Sequence, residues 1–92
     1  MASEMAAGSK DLNDGEAQRL ATLIEQAGGR LVVARAICAQ RQRAGQGTTK
    51  PDEISDQIRR VEKRERRLSA TLANEIAQAC QMNLADFRAA VL

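Results

Sequence analysis

The sequence has no histidine, tryptophan or tyrosine, and Phe87 is its single aromatic residue. Without histidine the commonest general base and metal ligand is missing. No glycine-rich phosphate loop follows a strand, no carboxylates fall at ligand spacing, and no Ser or Cys has a base to activate it. Neither an enzyme nor a bound metal or cofactor is expected. The shortage of aromatics also removes the platforms on which single-stranded RNA and DNA bases stack. A core left to Leu, Ile, Val and Ala suits packed helices better than a β-sandwich. The two cysteines, Cys38 and Cys80, form no C-x-x-C pair and lie in apolar helical patterns. They read as small core fillers in a reducing compartment. No apolar run is long enough to span a membrane, and the N-terminus has no charged region followed by a hydrophobic one. A soluble, cytoplasmic protein without membrane contact is expected. At 92 residues the chain holds one domain with one small core.

Met1 to Leu12 has few large apolar residues and is expected to be a mobile tail, with a helical domain over residues 13–92. Asn13 and Glu16 have the spacing of a capping box. Leu20, Leu23, Ile24 and Ala27 then form one stripe, and Gly28-Gly29 ends the first helix. A second helix is expected from Arg30 or Leu31, with Leu31, Ala34, Ile37 and Cys38 as its apolar stripe. Nothing stops it before Gly45. Residues 45–50 read as a polar, flexible loop. Pro51 suits the first position of a third helix, with Asp52 and Glu53 in its first turn.

From Asp52 to Leu92 there is neither Gly nor Pro. Ile54, Ile58, Val61, Leu68 and Leu72 fit one long helix, but Glu65 spoils its seam. The preferred alternative breaks at Leu68-Ser69, where Ser69 caps a helix carrying Leu72, Ala73, Ile76, Ala77 and Cys80. Asn83 and Asp86 then open a last helix with Leu84, Phe87, Val91 and Leu92, which either closes the core or forms a dimer surface. The expected fold class is all-α, with five helices.

Charge is unevenly spread. Residues 1–29 hold two basic and five acidic side chains, residues 30–67 eleven and five, and residues 68–92 one and two, giving −3, +6 and −1. The middle third therefore carries the positive potential, an asymmetry that attracts phosphate. Its densest part is Arg59 to Arg67, where six residues are Arg or Lys and two are Glu. A helix can enter the major groove of B-DNA and present side chains to base edges. With Ile54, Ile58 and Val61 turned inward, Ser55, Gln57, Arg59 and Arg60 become candidates for base contact. Lys63, Arg64, Arg66 and Arg67 suit phosphates. The acidic Asp52, Glu53 and Asp56 oppose this unless they turn away or accept from a cytosine amino group. The plainer alternative is a solvated helix face on which Glu62 and Glu65 pair with neighbouring arginines.

The stretch Gln57-Ile58-Arg59-Arg60-Val61-Glu62-Lys63-Arg64-Glu65-Arg66-Arg67-Leu68-Ser69-Ala70-Thr71-Leu72-Ala73-Asn74-Glu75-Ile76-Ala77 resembles the Xre family of helix-turn-helix regulators, the Cro and phage-repressor type. In that family the recognition helix closes on an Ile-Ser-Arg-Ile-Glu-like motif, followed by a basic turn and a helix reading Leu-x-x-x-Ile-Ala. The segment Ala79 to Phe87 is similar to its fourth-to-fifth helix junction, and Gly28 to Ile37 to its second helix. The resemblance spans most of Leu20 to Leu92. It implies a compact five-helix lambda-repressor-like DNA-binding domain, with Ser55, Gln57, Arg59 and Arg60 as the positions to test for base contact. It also implies a homodimer bound to operator double-stranded DNA.

One departure stands out. Where the family has a tight turn between its second and third helices, Cys38-Ala39 occupies that place. An insertion of about a dozen residues then precedes the next helix. It could place Arg41, Arg43 and Lys50 on the DNA backbone, or alter the DNA-reading geometry. Two functions are therefore expected to compete. One is a transcriptional repressor on a short palindrome, and the other a helical adaptor or anti-activator that binds a protein partner.

Overall fold

Short polar side chains set three of the five helix starts. Helix α1 (Asp14–Gln26) opens on a complete capping box, with Glu16 N donating to Asn13 Oδ1 at 2.8 Å and Asn13 N donating to Glu16 Oε1 at 2.9 Å. Helix α4 (Ala70–Ala79) is capped by Ser69, whose hydroxyl accepts from Leu72 N, and α5 (Leu84–Val91) by Asn83, which accepts from Asp86 N. Helix α2 (Arg30–Arg43) starts on Gly29, and α3 (Pro51–Glu62) carries Pro51 at its first position. The computed structural model describes residues 9–46 and 49–92, over which the chain is all-α with five helices. Helix α4 starts where the Ser69 cap placed it, whereas α3 already ends at Glu62, before the expected break at Leu68-Ser69.

The interior is one continuous apolar cluster. Leu20 and Ile24 of α1, Val33 and Ile37 of α2, Ile54, Ile58 and Val61 of α3, Ile76 of α4, and Phe87 and Val91 of α5 are all fully buried. Phe87 and Val91 thus close the core, while Leu92 stays exposed. Helix α2 lies in the middle, against α3 most extensively and also against α4, and α1 bridges α3 and α5. The molecule measures 32 × 30 × 24 Å.

Two expectations need correction. Of the tail expected over Met1 to Leu12, residues 1–8 lie outside the described residues, but the rest is built into the fold. Strand β1 (Ser9–Lys10) pairs antiparallel with β2 (Leu68–Ser69), Ser9 opposite Ser69 and Lys10 opposite Leu68. Leu12 is buried, as is Ala17, so the pair occupies the two positions of a hydrophobic staple around the Asn13 cap. Leu12, the strand pairing and the Lys10–Glu16 and Asp11–Arg67 ion pairs together tie the segment down.

The second correction concerns α2. Its inward face is Val33, Ala34 and Ile37, with Cys38 half-buried, whereas Leu31 is 40% exposed and Val32 48% exposed. Apolar residues surround this helix, so periodicity alone did not select a face. The Gly28-Gly29 turn and the packing of α3 select it.

The loop expected at residues 45–50 is anchored at both ends. Gly45 and Gln46 close α2, with Gln46 N donating to Arg41 O at 2.8 Å. Thr49 O accepts from the Cys38 thiol at 3.4 Å, and Lys50 is the N-cap of α3. Residues 47 and 48 lie outside the described residues.

Candidate nucleic-acid interface

Helix α3 gives one face entirely to the core. Ile54, Ile58 and Val61 follow the i, i+4, i+7 rhythm and have no exposed surface. At about 100° per residue, the side opposite that stripe is centred on Asp56, with Asp52 and Lys63 above and below and Arg59 and Arg60 on either side. Asp56 holds both arginines. Its Oδ1 is 2.8 Å from Arg59 Nη2 and its Oδ2 is 3.0 Å from Arg60 Nε. The Arg59 hydrogen bond, with a smaller contribution from the Arg60 charge, keeps the Asp56 carboxyl below its usual range, and the same bond raises the Arg59 pKa. This carboxylate stays ionised at neutral pH.

The basic turn begins where α3 ends. Lys63 is the C-cap and Arg64 takes a left-handed conformation at φ 62°. Glu65 N then donates to Arg60 O at 2.8 Å, and Arg64 N to Val61 O at 3.0 Å. The turn is partly neutralised by the acidic start of the chain, with Arg64 Nη2 3.0 Å from Asp14 Oδ1 and Arg67 Nε 3.1 Å from Asp11 Oδ1. The oppositely charged thirds of the sequence are folded against each other. Among the described residues, Lys63 and Arg66 have no ion-pair partner.

The four candidates for base contact do not form one group. Arg59 and Arg60 are brought together through Asp56. Ser55 lies on one flank of α3, in a shallow depression of about 500 Å³ that it shares with Glu25, Gly28, Arg30 and Glu62. Gln57 lies on the other flank, beside Asp52, Glu53, Arg60 and Arg66. Glu62 is taken up by Arg30, whose Nη1 is 2.9 Å from its Oε1.

The three candidates near the insertion also separate. Arg41 is bidentate to Glu75 of α4, with Nε–Oε2 and Nη2–Oε1 both 2.8 Å, and its side chain is only 18% exposed. The Glu75 hydrogen bonds raise the Arg41 pKa further, and Gln40 Nε2 donates to Glu75 O at 3.1 Å beside them. Arg41 thus fastens α2 to α4, while Arg43 and Lys50 stay exposed at the two ends of the insertion.

The sequence presents Asp56 as an adverse charge unless it turns away or accepts from a cytosine amino group, and it points to no role for Glu75, Asp11 or Asp14. The i, i+3 and i, i+4 spacing of Asp56 to Arg59 and Arg60 was the available signal for the first. For Glu75 the hint was a lone carboxylate among Leu72, Ala73, Ile76 and Ala77. Nothing local connects Asp11 or Asp14 to the turn.

Other chemistry is sparse. Among the described residues no group of three or more His, Cys, Asp or Glu side chains could hold a metal ion, and no helix is long and apolar enough to cross a membrane. Cys38 and Cys80 are free and half-buried, and burial pushes the Cys80 thiol pKa up. Comparison with protein-family models, curated proteins and solved structures found no match.

Proposed function

We propose that this chain is a sequence-specific double-stranded DNA-binding regulator of the Xre type, acting in the cytoplasm as a homodimeric repressor on a short palindromic operator. The observation that carries the reading is the division of labour on α3. Its apolar stripe is wholly buried, while Asp56, Arg59, Arg60 and Lys63 form a charged outer face on which the Asp56, Arg59 and Arg60 side chains are about half exposed. A helix held rigidly by one side and polar on the other is the form that enters a major groove. Arg59 and Arg60 then face base edges, and Lys63, Arg66, Arg43 and Lys50 face phosphates. Each subunit of the dimer occupies one half-site, and occupancy blocks transcription.

Selection of bound DNA from a random library tests this, with enrichment of one inverted repeat as the expected outcome. Arg59→Ala with Arg60→Ala should abolish discrimination between that site and random DNA. Lys63→Ala with Arg66→Ala should weaken both and flatten the salt dependence by up to about 2 in slope. Unchanged binding in both double variants removes α3 as the reading element.

A second reading, the protein-binding adaptor or anti-activator, is favoured by one observation. Leu31 and Val32 are adjacent, large and exposed at the start of α2. It expects no DNA binding near physiological salt and a stable hetero-complex that Val32→Asp disrupts.

A further inference from the structure

We infer that Asp56 is the specificity-determining residue of the α3 face and that it directs the helix to G·C pairs. The inference rests on the DNA-binding reading above and names the class of site that reading leaves open.

Asp56 lies opposite the buried stripe, so it is the α3 side chain aimed most directly away from the core. Each of its oxygens engages a different arginine, Oδ1 with Arg59 Nη2 at 2.8 Å and Oδ2 with Arg60 Nε at 3.0 Å. Pairs this exposed add little to stability, because water screens them and the side chains lose freedom. What the clamp does is geometric. It sets two guanidinium forks beside one carboxylate whose oxygens each keep a further lone-pair direction.

The exposed face then offers donors on either side of an acceptor. In the major groove a G·C pair offers the converse, the O6 and N7 acceptors of guanine beside the N4 amino donor of cytosine. Thymine places its O4 acceptor where the carboxylate would need a donor, and adenine gives no partner pair for a fork that seeks two acceptors.

Charge acts in the same direction. Asp52, Glu53 and Asp56 offset Arg59, Arg60 and Lys63, so this face withholds net attraction from phosphates at random sequence. At a G·C pair the carboxylate and a flanking fork are satisfied together. At A·T the adenine amino group can serve the carboxylate, but no base edge gives the fork two acceptors. This widens the gap between right and wrong DNA.

The test compares the full chain with its Asp56→Asn variant in the same random-library selection and in salt-titrated binding to random duplex DNA. The wild-type protein should enrich half-sites with a fixed G·C pair. In Asp56→Asn that one preference should vanish while preferences elsewhere in the half-site persist. Random DNA should bind roughly 3- to 10-fold tighter, with a salt slope steeper by about 1. Thermal unfolding of the variant should match the wild type, since the side chain is 41% exposed. An unchanged G·C preference and salt slope in Asp56→Asn overturn the inference and leave the DNA-binding reading standing. A wild-type protein that enriches no sequence overturns that reading, and the inference with it.

Discussion

The two halves of the molecule both end their helices through a positive φ, but with different residues. In the first half, α1 closes through Gly28, with Gly29 N donating to Ile24 O at 2.9 Å, and α2 closes through Gly45. In the second half, α3 closes through Arg64, and α4 closes through Gln81, with Met82 N donating to Ala77 O at 2.9 Å. All four ends leave the helix through a positive φ, 113° at Gly28, 70° at Gly45, 62° at Arg64 and 60° at Gln81. Left-handed backbone costs a residue with a Cβ about 1–2 kcal/mol. The second half bears that strain twice because the next segment must turn back to bury Leu68 after α3 and Phe87 after α4. The packing of the next segment, and not the identity of the terminating residue, therefore decides where these helices stop. Gly28 stands apart from the other three, since its φ lies well outside the region that Gly45, Arg64 and Gln81 share.

The likeness of the four ends should fail at Gly28 first. Gly28→Ala should destabilise by about 2–3 kcal/mol in denaturant unfolding, because its backbone is closed to other residues. The new Cβ would also meet both Val32 Cγ atoms at 3.2 Å. Gly45→Ala, where nothing lies within 4 Å of the added carbon, should cost only about 1 kcal/mol. Equal losses at the two glycines would show that the distinction between them is wrong.

The converse substitutions probe the other half. Gln81→Gly should stabilise by about 0.5–1 kcal/mol, the relief of strain exceeding the added freedom of the unfolded chain. Arg64→Gly should gain somewhat less, because it also loses the exposed contact with Asp14. A loss of stability in both would mean that no strain is stored there.

The smallest effect concerns helix starts. Helix α1 begins on a titratable group, since Glu16 is held below the usual carboxylate range by the Asn13 backbone N–H and then by Lys10. Helix α4 begins on Ser69, which does not titrate. A depressed carboxyl lends stability above its unfolded pKa and loses it as the pH falls through the folded one. Acidification should therefore speed amide hydrogen exchange in the first turn of α1 more than in that of α4, and Glu16→Gln should remove the difference. Equal acid sensitivity of the two turns would dissolve it.

These contrasts also explain what could be read in advance. Asn13, Ser69, Asn83 and Pro51 act on their own helix within three residues, so local spacing revealed them. The stripe of Ile54, Ile58 and Val61 was legible for the same reason, and with it the orientation of the candidate interface. The end of α3 at Glu62 was not, because an arginine in left-handed backbone leaves no compositional mark. The face of α2 was hidden by apolar residues on every side. The pair Arg41–Glu75 joins residues 34 apart, and Arg67–Asp11 joins residues 56 apart. Pairings of that range are set by the packing of helices, which no window of sequence contains.

The anchoring of the insertion has a consequence for the chain as a polymer. The hydrogen bond from Gln46 N to Arg41 O holds one end, and that from the Cys38 thiol to Thr49 O holds the other. Arg41 fixes the first end again through Glu75. Both anchors are made by residues on either side of residues 47 and 48, and the cost of joining two fixed points by chain rises only logarithmically with the length between them. Each doubling adds about 0.6 kcal/mol. Extra residues placed there would lengthen the tether without relocating α3, so this is the position at which the chain can grow while its candidate reading face stays where it is.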